Sequence, residues 1–364
     1  MARNSLYKDI EHWLKRCAPF ELKGWAEKRV QTLAGMVYAI ISSKKSGIYT
    51  LANSLPWGDK QSESRVKRVK RWLDSKWTEQ RTHFASYTHS LLNALASGGE
   101  VVLCIDGSEV CQHCICLMLS AYYKKRAIPI AWVVREGQKG HFPEQMHIDL
   151  VQMAATLIPK GCRVVLLGDG EFDGDGLIET VNTLQWEYVL RTRLDRQVDC
   201  GKELAPIRNV EVPKAHKAVF LPAALPHSNA VLWHERGFEC PIPLITSMEV
   251  GWQACLYYKK RFSIETMFSD MKSRGFHIHK AKISQPERVA KLIIAVALAY
   301  LRVFLWGMAP IRKKYENLIY RQDRQHELSP FNRGLKIFDY CKEYDFKPVS
   351  LFSKNFALFI CVRL

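Results

Sequence analysis

Two aspartates, Asp106 and Asp169, each follow a short apolar run: Val101-Val102-Leu103-Cys104-Ile105 before the first, Val164-Val165-Leu166-Leu167-Gly168 before the second. Runs of this kind read as buried strands. Folding does not require a carboxylate at their ends, and α/β architectures collect functional groups at strand ends along one sheet edge. A third acid, Glu265, stands in a helix-like stretch that also holds Tyr258, Arg261 and Lys272. Stepping about 100° per residue from Tyr258 puts Arg261 at about −60°, Glu265 at about −20° and Lys272 at about −40°. All four share one narrow stripe. A solvated face accounts for such a stripe when it is taken alone, and the upstream aspartates weigh against that reading. Three carboxylates suit hard Mg²⁺, with Mn²⁺ as a substitute, because such ions prefer oxygen and leave room for phosphate and water. Two ions about 4 Å apart stabilise the attacking and leaving oxygens of an in-line phosphoryl displacement. Arg261 as a fork, Lys272 as a point charge and Tyr258 as a donor would hold a phosphodiester.

The surrounding pattern predicts the elements that bring these residues together. Strands at Val101–Ile105, Ile115–Tyr123 and Ile128–Val134 form an antiparallel meander. A helix over Pro143–Leu157 leads to a fourth strand at Arg163–Leu167, then to a helix over Gly174–Leu184 and a strand at Glu187–Arg191. Three strands, a helix and a fourth strand is the order of the ribonuclease-H-like fold, which sets the first and fourth strands side by side. The expected fold class is therefore α/β, with a ribonuclease-H-like core over 98–196 and 241–310. A β insertion over 197–240 interrupts it, rich in Pro, His and short β-like pieces. The core strand Ile242–Ser247, a long helix from Trp252 to Ser273 and an apolar helix over 287–308 follow. Lys291 and Arg302 bracket the first half of the apolar helix, and its uncharged run falls short of a membrane span. It reads as a buried helix, and no membrane partner is expected.

Residues 1–97 read as an α-helical DNA-binding region. Leu33, Met36, Val37, Ile40 and Ile41 recur at helical spacing. After a turn-like break at Ser54–Asp59, Ser62–Trp72 forms a basic amphipathic helix carrying Arg65, Arg68 and Arg71. Such a helix is a solvated face as readily as a DNA contact, but the whole chain is basic. Lys plus Arg number 53 against 36 Asp plus Glu, a net charge of +17 over 364 residues, with pI ≈ 9.4. That balance is the footprint of a polyanion binder. Residues 311–364 form a basic, helical C-terminal region. Met1–Leu14 carries Arg3, Lys8, Asp9 and Glu11 and no apolar run, so the expectation is a cytoplasmic, nucleoid-associated protein whose 11 cysteines are reduced.

Other residues invite chemistry less strongly. Cys111-Gln112-His113-Cys114-Ile115-Cys116 contains zinc-ligand types, but no second pair follows and the run falls on the second strand. Glu109, Glu171, Asp173 and Asp175 are further acids near the site. Asp173 is expected to cap the following helix, with an exchange of roles with Asp169 as the alternative. His277 and His279 face either DNA or solvent. No Gly-rich phosphate loop is present, so ATP use is not indicated.

Tyr258-x₂-Arg261-x₃-Glu265-x₆-Lys272 resembles the Y-R-E-K signature of bacterial DDE insertion-sequence transposases of the IS-four type. Ile105-Asp106-Gly107 looks like that family's first-aspartate strand, and Asp169-Gly170-Glu171-Phe172-Asp173 like its second-aspartate block. The β insertion before the Glu helix and the Arg324–Gly334 stretch are similar too. The resemblance implies metal-dependent cleavage of element ends and strand transfer, with Asp106, Asp169 and Glu265 as catalytic metal ligands. It implies double-stranded DNA as partner, both terminal inverted repeats and target, bound by a homodimer. Relatives form a hairpin at the transposon end and stack an aromatic residue of the insertion on a flipped base, a role that falls here to Trp233. A nuclease that cuts without joining would use the same acids, and a non-catalytic DNA-binding derivative would need none of them.

Overall fold

The computed structural model describes residues 2–57, 61–137, 142–201, 203–212, 217–235, 237–319 and 328–347. The chain opens with α1 (Ala2–Cys17), α2 (Gly24–Ser43), α3 (Ile48–Ser54), α4 (Ser62–Asp74), α5 (Gln80–His83) and α6 (Ala85–Ala96). Leu33, Met36, Val37, Ile40 and Ile41 are all buried in α2, as their spacing predicts. Helix α4 buries Val69, Trp72 and Leu73 and leaves its cations on the rest of its circumference.

The meander follows as β1 (Glu100–Cys111), β2 (Cys114–Tyr123) and β3 (Arg126–Glu136). Helix α7 (Glu144–Ala155) crosses back, so β4 (Arg163–Gly168) lies parallel to β1. Helix α8 (Asp175–Thr183) then delivers β5 (Glu187–Arg191) parallel to β4. The first and fourth strands are therefore neighbours, as expected.

Two strand predictions are corrected. Strand β1 does not end at Asp106 but runs on to Cys111, because β2 keeps pairing with it beyond the last β4 partner. The acid thus sits within a hairpin arm at the point where the parallel partner stops. The β insertion over 197–240, expected to interrupt the core, has its β-like pieces at 218–222 and 229–233 and divides between two sheets. β6 (Gln197–Asp199) and β7 (Leu204–Pro206) form their own two-stranded sheet. β8 (Ala218–Pro222) and β9 (Asn229–Trp233) join the main sheet through β10 (Ile242–Thr246), which pairs antiparallel with β5. The result is one eight-stranded sheet, β3-β2-β1-β4-β5-β10-β9-β8. The reason is edge protection: β10 would otherwise present unpaired backbone groups, and β9 takes them.

Helices α9 (Gly251–Met271), α10 (Pro286–Met308), α11 (Lys313–Ile319) and α12 (Pro330–Glu343) complete the chain. Of the similarity noted over Arg324–Gly334, residues 324–327 lie outside the described residues, as do 320–323 and 348–364 of the C-terminal region. Helix α10 is long and apolar enough to cross a membrane, yet 89% of its apolar window is buried inside the protein. It packs on α2, α4, β3 and α12. Trp132 Nε1 donates to Ala290 O at 3.0 Å and Lys291 Nζ to Ser75 O at 2.9 Å, which fixes its first half. Arg302 lies between the Trp13 and Trp306 rings, 5.1 and 4.9 Å from their centroids, and pairs with Asp9. At the other end Gly307 and Gly334 let the α10 and α12 backbones touch; a Cβ on either would collide with a carbonyl of the opposite helix. One hydrophobic cluster consequently runs from Leu6 to Cys341.

Candidate active site

Parallel pairing of β1 with β4 matches Cys104 with Leu167. The same register carried two residues further sets Asp106 opposite Asp169, the first residue after β4. Side chains alternate along a strand, so Cys104, Asp106 and Ser108 share one face of β1. That face meets α9. Cys104 Sγ lies 3.9 Å from Ser263 Oγ, and Lys272, the C-cap of α9, donates from Nζ to Ser108 Oγ at 2.6 Å. Asp106 lies between these two anchors, and the middle of α9 supplies Arg261 and Glu265 opposite it.

The charges in this space act on one another. Asp106 Oδ1 accepts from Gly107 N at 2.8 Å. Even so, burial first and the Asp169 carboxylate second push the Asp106 carboxyl up to about 7, against the opposing pull of Arg261. Glu265 adds to the rise. Asp169 Oδ1 accepts from Glu171 N at 3.0 Å, closing the turn after β4. Gly107 is needed as glycine because a Cβ there would stand 2.8 Å from the Phe142 ring.

On α9, Tyr258 and Arg261 are buried and Glu265 is about half exposed. Arg261 Nη2 donates to Glu265 Oε1 at 2.5 Å, and its guanidinium packs on the Phe262 ring at 4.6 Å. Its Nε is buried with no partner among the described residues. Burial raises the Tyr258 phenol, with Arg261 and Arg191 opposing and Asp169 adding to the rise, so the ring stands near both strand-end groups. Burial lowers the Lys272 ammonium, while Glu109, Cys116 and Asp106 hold it up. The four stripe residues thus face the aspartates, although α9 ends at Met271 and Lys272 reaches the site from the cap. Among the described residues no three acidic, His or Cys side chains are gathered tightly enough to hold an ion. Glu265 rests on Arg261 instead of converging with the aspartates.

The remaining candidates take other places. Trp233 is 1% exposed and packs edge-on to Phe238 at 4.8 Å, under Lys259 at 5.3 Å. The expected stacking ring is a packing residue in this conformation, because β9 is an interior strand of the extended sheet and turns it inward. Asp173 does not cap α8. Its Oδ2 accepts from Thr192 Oγ1 at 2.8 Å and Arg193 N at 3.1 Å, while Glu144 Oε1 takes the α8 donor Leu177 N at 3.0 Å. Asp175 pairs with Arg196 at 2.7 Å, and Glu171 accepts from Phe142 N at 2.5 Å beside buried His147. The thiols of Cys111, Cys114 and Cys116 point to three different carbonyls, of Ile278, Ser284 and Leu117, and form no shared centre. His277 is half-buried and His279 exposed. Arg65, Arg68 and Arg71 line one cleft with α2, together with four tryptophans.

Ser108 was missed as the lysine's partner, though its place two residues after Asp106 on the same strand face was a usable signal. Arg191 was missed because nothing local marks the end of β5 as facing α9.

The family model of the transposase DDE domain matches residues 98–302 of this chain. No curated protein matches it. Among solved structures, the cryo-EM structure of the piggyBac transposase synaptic complex with hairpin DNA is similar at a TM-score of 0.40 and 10% sequence identity. That similarity covers 99% of this chain and 76% of that one.

Proposed function

The chain belongs to the transposase DDE domain family, a match over residues 98–302, and from that premise we propose that Asp106, Asp169 and Glu265 are its three catalytic acids. The enzyme cleaves DNA and transfers strands with the help of divalent metal. The observation that carries the assignment is the register of β1 on β4, which sets the two aspartates opposite each other beneath α9.

The donor set fits a hard divalent cation. Its atoms are carboxylate oxygens, and burial first and the Asp169 carboxylate second push the Asp106 carboxyl up to about 7. A cation would oppose that rise. Asp106 and Asp169 would hold it from the strands, and Glu265 would join by turning its half-exposed side chain away from Arg261. Mg²⁺ is the ion proposed, with Mn²⁺ as substitute. When bound, such an ion polarises the phosphodiester and lowers the pKa of water near it.

The chain's own residues do the positioning. Arg261, released from Glu265, has a free fork for a phosphate, and its unpartnered Nε is already desolvated. Lys272, fixed on Ser108, offers a point charge at the opposite end of Asp106. Tyr258 backs Arg261 and keeps its plane. These assignments support the finer reading of an IS-four-type enzyme with a ribonuclease-H-like core over 98–196 and 241–310. In that reading residues 1–97 bind the element ends, 197–240 are the insertion and 311–364 the C-terminal region. The substrates are terminal inverted repeats and target DNA, bound by a homodimer at the bacterial nucleoid.

The test is incubation of the purified protein with labelled linear DNA bearing the inverted repeats that flank its gene, with Mg²⁺, beside Glu265→Gln. Products are resolved on a denaturing gel. Joined or hairpin products in the wild type, absent from the variant although its band shift is normal, are the expected result. Free ends alone would favour a nuclease, and cleavage that survives Glu265→Gln would remove Glu265 from the assignment.

A further inference from the structure

Away from the carboxylates, helices α2 and α4 enclose a cleft of about 1050 Å³. We infer that this cleft is a separate binding site for unpaired nucleotides, distinct from any surface that grips duplex. Five cations line it, Lys28 and Arg29 from α2 and Arg65, Arg68 and Arg71 from α4, and no carboxylate lines it among the described residues. Two of these cations carry a buried nitrogen with no partner there, Arg29 Nε and Arg65 Nε. A buried guanidinium nitrogen without a partner, in a lining that holds no acid, suits an anion from outside.

Four aromatic rings stand among these cations. Trp25, Trp57, Trp72 and Trp77 all border the cleft. Trp25 is 75% exposed and Trp77 63%, with Lys28 over the first ring at 4.7 Å and Lys76 over the second at 5.6 Å. Trp57 forms part of the wall, and its place is built. Gly35 on α2 makes the notch for the ring, since a Cβ there would lie 2.8 Å from it, and Arg68 covers the opposite side at 3.9 Å. Arg68 is itself held by Thr32 Oγ1 at 2.9 Å. Trp72 is fixed by its Nε1 donating to Arg29 O at 3.1 Å.

Cations with aromatic faces between them are what a nucleic-acid strand needs once its bases are unstacked: phosphates go to the cations and bases to the rings. A duplex uses neither ring, because its base faces are occupied by one another. Duplex readers also present a protruding helix to a groove, whereas here α4 turns three arginines into a concavity. The volume is that of clefts that enclose small organic molecules, which suits a short run of bases. The cleft's ligand is therefore a frayed, extruded or nicked strand segment. Its supply rests on the reading of the protein as a DNA-cleaving enzyme.

The experiment uses the full chain in chelator, a fluorescent oligothymidylate, and a duplex of equal length at one fixed salt concentration. The variant is Trp25→Ala/Trp77→Ala, which alters only rings that stand largely in solvent. The expected result is an affinity for oligothymidylate at least about tenfold weaker in the variant, with duplex affinity changed by less than about twofold. Quenching of wild-type tryptophan fluorescence by oligothymidylate should shrink in the variant in parallel. An equal loss on both DNAs would make the cleft a duplex surface and overturn the inference; no loss on either, or no wild-type binding of oligothymidylate, would overturn it as well. Failure of the transposase reading registers elsewhere, as absence of cleavage by a wild type that still binds oligothymidylate.

Discussion

Replacing Asp106 by Asn should stabilise the metal-free protein, by an amount that grows with pH. Burial and the neighbouring Asp169 move the Asp106 carboxyl from 3.8 to about 7. Because the folded value is the higher one, the folded chain keeps a proton that the unfolded chain gives up between those two pH values. Stability is unaffected below 3.8, falls as pH rises through the window and levels off above about 7. At about 1.4 kcal/mol per pH unit, the raised carboxyl costs at most about 4 kcal/mol of stability at pH 8 and about 2 kcal/mol at pH 5. Asn keeps the acceptor for Gly107 N and removes the charge. Urea unfolding followed by tryptophan fluorescence, in chelator, should show the advantage of Asp106→Asn over wild type widening by about 2–3 kcal/mol between pH 5 and pH 8. Added Mg²⁺ should then raise the wild-type midpoint at pH 8 more than that of the variant, since only the native wild type holds both aspartates. An advantage that does not change with pH, or a variant weaker at pH 8, would show that neither burial nor Asp169 raises the Asp106 carboxyl. The site as drawn would then be wrong.

Other outcomes follow from the same geometry. Lys272→Met should slow single-turnover cleavage by about 10- to 100-fold, the worth of a charge-assisted contact to phosphate, while Ser108→Ala, which only frees the ammonium, should slow it less; both are read by gel at saturating DNA. Gly334→Ala should lower the melting temperature by forcing a Cβ against the Val303 carbonyl, at a cost of about 1–3 kcal/mol, with activity per folded molecule unchanged.

The acids were legible because each lies at a transition the sequence marks by itself, apolar strand to polar turn or helical stripe to charged position. Tyr258, Arg261 and Glu265 were legible as a set because helical periodicity is local. What was not legible depended on partners far along the chain. The continuation of β1 past Asp106 is decided by β2, and the fate of β8 and β9 by the free edge of β10. Asp173 looked like a helix cap, yet Glu144, from the preceding helix, takes that task and leaves Asp173 to the turn at Thr192. Trp233 carried no mark of its depth, because an alternating β pattern does not say which face another layer will cover. The tryptophans of the α2–α4 cleft come from three places in the sequence, at 25, 57 and 72–77, and only the packing of these segments gathers them.

The position of α10 in the chain has a consequence for how the protein is made. Helix α2 ends at Ser43 and α10 starts at Pro286, so α2 leaves the ribosome roughly 240 residues before α10, which covers it alongside α1 and α3. At ~5–20 residues per second, that is a wait of roughly 10–50 seconds. During that time α1 and α3 already pack on α2, and the part that α10 will cover stays open. Products of interrupted synthesis never close it, so the packing of α2 and α4 becomes firm only in molecules translated through α10. Chains that stop before α10 would be protease substrates.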